Sequence, residues 1–121
     1  MSHRILIVDD EPNIVISLEY LMKKEGFQVA VATDGEAALQ QASSFVPDLI
    51  LLDIMMPRKS GFEVCQALRA DPALAAVKII MLTAKGRETE VAKGLALGAD
   101  AYITKPFSTR DLVVQIKSLL G

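Results

Sequence analysis

Between Pro47 and Pro57 the chain reads Pro-Asp-Leu-Ile-Leu-Leu-Asp-Ile-Met-Met-Pro. Four consecutive aliphatic residues stand between turn signals with no polar alternation. Such a run suits a strand buried on both faces, the kind found in parallel sheets. Asp53 stands where that strand runs out at its carboxyl end, the edge outside which open α/β sheets bind their ligands. A carboxylate there can be a helix cap, a cation ligand or a nucleophile, and the stretch alone does not choose.

The remaining segments alternate in kind. Arg4 to Val8 reads as a buried strand and ends in Asp9-Asp10-Glu11. Pro12 then suits the first turn of a helix, with Ile14, Val15, Leu18, Leu21 and Met22 at helical spacing until Gly26. Gln28 to Ala32 is a second strand, and Thr33-Asp34-Gly35 turns into a helix that begins at Ala37, Ala38 and Leu39 and stops before Pro47. After the strand ending at Asp53, Ser60 to Ala70 is a helix with Phe62, Cys65, Ala67 and Leu68 inward, broken at Asp71-Pro72. Lys78 to Leu82 is a strand ending at Thr83-Ala84, and Glu88 to Leu97 a helix closed by Gly98. Ala101 to Thr104 is the last strand, ending at Lys105-Pro106, and Ser108 caps a final helix with Leu112, Val113, Ile116 and Leu119 inward. Five strands alternating with five helices imply an α/β domain spanning 1–121. Its doubly wound parallel sheet has right-handed crossovers and helices on both faces, a three-layer sandwich; the alternation alone leaves the strand order open between the two common ones, the flavodoxin-like 2-1-3-4-5 among them.

Composition narrows the function. Of 121 residues 51% are hydrophobic and 23% charged, so the chain folds around a core. A net charge of −2 and a pI near 5.3 argue against a basic nucleic-acid-binding face. The single cysteine, Cys65, cannot form an internal disulfide and fits a reducing compartment. No apolar run approaches the ~18 residues of a membrane span, and the strand beginning at Arg4 follows the start too closely for a secretory leader. A cytoplasmic location with no membrane contact is expected.

The strand ends carry the chemistry. The first strand offers Asp9 and Asp10, the third Asp53, the fourth Thr83 and the fifth Lys105, whereas the second offers only Ala32 and Thr33. If strands one, three, four and five are neighbours, three carboxylates, a hydroxyl and an amine meet in one crevice, which favours the order 2-1-3-4-5. Clustered carboxylates need a cation, and an oxygen-only donor set without His or Cys suits a hard ion, Mg²⁺ first. A carboxylate beside Mg²⁺ and Lys can attack a phosphoryl group and form an acyl phosphate. Lys105 and the ion would neutralise the equatorial oxygens, and Thr83 would donate a hydrogen bond to one of them. Each residue also has a plainer role. Asp10 could cap the helix at Pro12, Asp53 the next turn; Thr83 could be an ordinary strand residue and Lys105 a solvated one. Their joint placement at the ends of different strands favours the site.

These pieces resemble the receiver domains of bacterial two-component response regulators, the chemotaxis regulators among them. The matching stretches are Ile7-Val8-Asp9-Asp10-Glu11, Asp53-Ile54-Met55-Met56-Pro57 with Gly61, Leu82-Thr83-Ala84, Gly98-Ala99-Asp100-Ala101-Tyr102 and Lys105-Pro106-Phe107. The resemblance covers the chain from first strand to last helix, and the strand order is supported by it only as an analogy. It implies that Asp53 is phosphorylated by a histidine kinase or phosphotransfer protein. Asp10, Asp53 and the Met55 backbone carbonyl would bind Mg²⁺ directly, with Asp9 acting through water. Thr83 and Lys105 would hold the phosphoryl group, Tyr102 would swing inward with Thr83, the Lys105–Pro106 bond would be cis, and Lys85 could influence phosphoryl lifetime. The output would be a separate domain or protein target.

In family members with winged-helix outputs, the face of the fourth helix, fifth strand and fifth helix dimerises through paired charges. Lys93 and Asp111 match one such pair, but Ala101 stands where a second Asp is usual and Gln115 where Arg is common. A monomer or weak phosphorylation-dependent dimer is expected. Two other functions compete. A haloacid-dehalogenase-type phosphohydrolase would carry a second Asp two residues after the nucleophile, where this chain has Met55, and usually a cap domain. A flavin-binding relative would want a Ser/Thr/Gly-rich loop after the first strand, where Asp9-Asp10-Glu11 would repel a phosphate. A signalling phosphoacceptor and not a turnover enzyme is the expectation.

Overall fold

In the computed structural model, which describes residues 2–56, 58–84, 86 and 88–121, strands and helices alternate throughout. They are β1 (Arg4–Val8), α1 (Pro12–Lys24), β2 (Gln28–Ala32), α2 (Gly35–Phe45), β3 (Leu49–Asp53), α3 (Gly61–Ala70), β4 (Lys78–Ala84), α4 (Glu88–Ala96), β5 (Ala101–Lys105) and α5 (Thr109–Leu120). The sheet is parallel in the order β2-β1-β3-β4-β5. Alternate strand residues face opposite layers. Ile5, Ile7, Leu49, Leu51, Ile80 and Leu82 pack with Leu18 and Met22 of α1 and Leu112 and Ile116 of α5. Leu6, Val8, Ile50, Leu52, Ile79 and Met81 pack with Ala38 and Ala42 of α2 and Val64, Cys65 and Leu68 of α3. The central strands β1 and β3 therefore have no solvated face, which is why their sequences do not alternate.

The helix starts follow from side-chain caps. Asp34 accepts from Ala37 N–H, Ser108 from Asp111 N–H, and Ser60 and Glu63 form a reciprocal capping box. Helix α1 starts without such a side-chain cap. Its N-cap is Glu11, which makes no side-chain cap bond, and Asp10 does not cap it. In α3 the buried set is Gly61, Val64, Cys65 and Leu68, and Ala67 faces solvent. Alanine is too small to mark a face, and the 61-64-65-68 spacing defines the stripe instead. Strands β4 and β5 extend to Ala84 and Lys105, past the Leu82 and Thr104 predicted from hydrophobicity, because the ladder continues through Thr83↔Thr104 and Ala84↔Lys105. Among the described residues no helix is long and apolar enough to cross a membrane.

The register is what builds the site. Val8 lies opposite Leu52, so the next residues, Asp9 and Asp53, leave their strands side by side. Asp53 lies opposite Leu82, which puts Thr83 one step beyond it, and the β4–β5 register sets Lys105 beside Ala84.

Candidate functional site

Two close backbone approaches fix the loops around this edge. Gly61 packs against Asp53, and a Cβ there would collide with the Asp53 carbonyl and Ile54 Cα. Gly35 likewise meets the backbone of Lys59, so the loop after β3 is pressed against the start of α2. Arg58 in that loop reaches the carboxylates of Asp34 at 3.5 Å and Glu36 at 3.8 Å.

The carboxylates converge as expected from the sequence. One oxygen each from Asp9, Asp10 and Asp53 lies within 4.8 Å of the others. Asp9 is fully buried, Asp53 nearly so, and Asp10 exposed. Asp9 Oδ1 accepts from the Glu11 N–H at 2.9 Å. Its Oδ2 stands 2.8 Å from the Lys105 ammonium and has no other polar partner among the described residues. The contact is thus an ion pair, and a buried carboxylate oxygen is left with bonding capacity. That oxygen and two neighbouring carboxylates fit a divalent cation bound through oxygen. Asp9, Asp10 and Asp53 are the residues that would hold it.

Lys105 gathers the negative charge from the other side. Its Nζ is 2.8 Å from Asp9, 3.4 Å from Asp53 and 3.4 Å from Glu11. Burial alone would lower the ammonium's pKa, but the three carboxylates outweigh it and hold the group above the ordinary lysine range. Asp53 shows the opposite balance. Burial and the Asp9 charge push its pKa up to about 6, although Lys105 and the Met55 N–H favour the anion. The group sits near neutrality between two protonation states, as reactive carboxylates in clefts do.

A cavity of about 240 Å³ opens here, lined by Asp53, Met55, Thr83, Lys105, Glu11 and Glu90 among others. Thr83 is 2% exposed, and its hydroxyl makes a long 3.5 Å contact with the Ala84 carbonyl. Met55 presents its N–H to the Asp53 carboxylate while its side chain is solvated. The Lys105–Pro106 peptide is cis. Tyr102 lies elsewhere, half-exposed on the outer side of β5, where it lines a separate groove with Leu95 and Gln115. Lys85 and Pro57 lie outside the described residues. In the sequence Glu11 stands only as the end of the acidic run Asp9-Asp10-Glu11. Its poor suitability as an N-cap, immediately before Pro12, was the available sign that its side chain serves another purpose.

This geometry meets a decisive comparison: residues 5–117 match the model of the response regulator receiver domain. The chain belongs to that family. Over 120 residues the receiver domain is 47% identical to the alkaline phosphatase synthesis transcriptional regulatory protein PhoP of Bacillus subtilis, covering 99% of this chain and 49% of that protein. It is 45% identical over 116 residues to the sensory transduction protein RegX3 of Mycobacterium tuberculosis, covering 96% of this chain and 50% of that one. The receiver domain thus spans about half the length of these curated relatives. A solved structure from Chloroflexus aurantiacus, assigned as a response regulator, superposes with a TM-score of 0.95 at 35% identity, covering 99% of this chain and 98% of that one. Receiver domains of this family are the signal-accepting parts of two-component systems, and this chain is one of them.

Proposed function

We propose that Asp53 is the phosphoacceptor and that a histidine kinase or phosphotransfer protein is the donor. The observation that carries this reading is the convergence of Asp9, Asp10, Asp53 and Lys105 at one end of the sheet, with Asp53 on the wall of an open cavity. A bound Mg²⁺ would supply charge neutralisation at the phosphoryl oxygens; Asp10, Asp53 and the Met55 backbone carbonyl would hold it, and Asp9 would act through water. An Asp53 oxygen attacks phosphorus in line with the scissile P–N bond of the donor. The O–P bond forms as the P–N bond breaks, and the imidazole nitrogen leaves with the electron pair. Lys105 turns its ammonium from the carboxylates toward the transferred group, and the Thr83 hydroxyl donates to another of its oxygens. The product is an acyl phosphate at the edge of a rigid sheet. Its contact with Thr83 couples the site to Tyr102 and to the face of α4, β5 and α5 that would engage an output domain or target.

This is a switch, and the domain assists only its own phosphoryl transfer and hydrolysis. Met55, two residues after Asp53, supports that reading over a phosphohydrolase, since it cannot serve as a general acid. The function belongs in the cytoplasm, where the kinase's phosphorylated histidine is presented. Acetyl phosphate with Mg²⁺ is expected to add one phosphoryl mass to the wild-type domain, and Asp53→Asn to abolish the addition in intact-mass measurement. Undiminished labelling of Asp53→Asn would place the acceptor elsewhere.

A further inference from the structure

We propose that Glu11 is a positioning residue of the phosphoacceptor site: it holds the Lys105 ammonium on the acidic side of the pocket and presents a like charge to an incoming anionic donor, thereby restraining phosphorylation. The inference rests on the phosphoacceptor reading of Asp53.

Two separate observations carry it. First, Glu11 occupies the N-cap of α1 with extended backbone (φ −88°, ψ 113°), yet its side chain caps nothing. Ser, Thr, Asp or Asn would satisfy an N–H of the first turn at this position, and Glu is too long to do so well. The α1 start is therefore less well capped than those of α2, α3 and α5, whose side chains do cap them. Second, the carboxylate that does not cap is turned to the pocket, where it reaches Lys105 Nζ at 3.4 Å and forms part of the cavity wall beside Asp53.

The geometry sets up a competition. The Lys105 ammonium is only 16% exposed and faces Asp9, Asp53 and Glu11. Asp9 and Asp53 stand at the cation site, so a bound divalent ion competes for them. Glu11 stands outside that trio, 61% exposed, and keeps its full charge for Lys105. When a phosphoryl donor arrives, Lys105 must exchange Glu11 for a phosphoryl oxygen, and the donor's negative charge must approach Glu11. Both effects slow transfer, and both are electrostatic across solvent. With acetyl phosphate as donor, the Asp53 oxygen–phosphorus bond forms as the phosphorus–oxygen bond to acetate breaks, and acetate leaves with the electron pair. The donor anion thus enters past Glu11, and acetate departs past it.

The test compares wild type, Glu11→Gln, Glu11→Ser and, as a control of equal net charge, Glu19→Gln, whose ion-pair partner Lys23 lies on the exposed side of α1. Labelling by acetyl phosphate with Mg²⁺ is timed by intact mass at ~10 mM and ~1 M salt, where screening lengths are about 30 and 3 Å. Removing the charge is expected to speed labelling about two- to five-fold at low salt, the range of an exposed ion pair. The gain should shrink at high salt, and Glu19→Gln should match wild type. A second readout is the beryllofluoride concentration needed to raise the melting temperature in Mg²⁺, expected to fall by a similar factor in Glu11→Gln. Glu11→Ser separates the role from folding, because it improves the cap while removing the charge. Equal wild-type and Glu11→Gln rates at low salt, a gain that persists at ~1 M salt, or the same gain in Glu19→Gln would overturn the inference and leave Asp53 as acceptor. Absence of labelling in every protein would overturn both.

Discussion

Asp53 lies between two needs. A nucleophilic carboxylate must be ionised, but this one is buried beside Asp9, and its pKa is pushed up to about 6. In the unfolded chain the same group titrates near 3.8. The folded state therefore holds a proton that the unfolded state has released throughout the window between these values. Stability from this group is fully present below pH ~3.8 and is lost as pH rises through about 6. With divalent ions chelated, ionised Asp53 burdens the fold at neutral pH by an amount on the order of 1–3 kcal/mol. Asp53→Asn, which is neutral at all pH values, is expected to melt above wild type at pH 7.5 in EDTA. The gap should narrow as pH is lowered to 5 and then 4, where the wild-type carboxyl takes up its proton. Thermal melts of the two proteins across that range check this, and a gap that is absent at pH 7.5 would show that Lys105 fully compensates the buried charge.

At the level of elements, what could be read from the sequence was whatever depends on neighbours along the chain. The aliphatic runs ending at Val8, Asp53 and Leu82 announced buried strands, and Ser60 and Ser108 announced helix starts, since a cap is a contact between residues three apart; Asp34, read as part of a turn before a helix at Ala37, in fact caps a helix that starts at Gly35. Asp9, Asp53, Thr83 and Lys105 could be set at strand ends, but their meeting in space depends on the order of strands, which local pattern does not contain. Glu11 reaches Lys105 across 94 positions of chain, a pairing that exists only after β1 and β5 are placed in one sheet. Arg69 escaped notice for the same reason. It reads as an exposed residue at a helix end, yet its guanidinium bonds the carbonyls of Gly98 and Ala75 and the carboxylate of Asp100, tying α3 to the segments before β4 and β5. Helix α2 ends in a way no residue pattern announced. Val46, at its C-cap, adopts left-handed backbone with φ 50° and ψ 68°, a conformation that suits Gly and is disfavoured for a β-branched residue. The side chain is 52% exposed and so gains little from burial. Val46→Gly is expected to stabilise the domain by about 1 kcal/mol, a rise in melting temperature of a few degrees, with no effect on labelling of Asp53, at the opposite end of β3. A lower melting temperature would show that Val46 packing against the adjacent Pro47 and Leu74 groove outweighs the backbone strain.

On the scale of the molecule, the proposed phosphoacceptor pocket occupies one end of the sheet, and a roomier groove lies elsewhere. That groove, about 480 Å³, runs along β5 between α4 and α5 and is lined by Leu95, Tyr102, Thr104, Gln115 and their neighbours. It is the face that receiver domains with winged-helix outputs would use to pair. Dimerisation there depends on charges set opposite one another across a two-fold axis. Lys93 and Asp111 supply one such pair, but Lys93 holds its ammonium 4.6 Å above the Phe62 ring of its own chain. Docking would have to compete with that cation–π contact, which at an exposed site contributes about 0.5–1 kcal/mol. Ala101 and Gln115 carry no charge, so no second pair joins the first. An exposed ion pair contributes at most about 1 kcal/mol, and bringing two copies together costs about 4–15 kcal/mol in lost freedom. The apolar residues exposed on this face, Leu95 and Tyr102, are 43% and 44% exposed and already partly packed against their own chain. Phosphorylation is therefore expected to change the face without joining two isolated domains tightly, since a switch between states needs only a few kcal/mol. Sedimentation with Mg²⁺ and beryllofluoride should show mostly monomer at micromolar concentration. A tight two-fold dimer that Lys93→Glu disrupts and Lys93→Glu with Asp111→Lys restores would refute this, because it would show that one charge pair and the groove suffice.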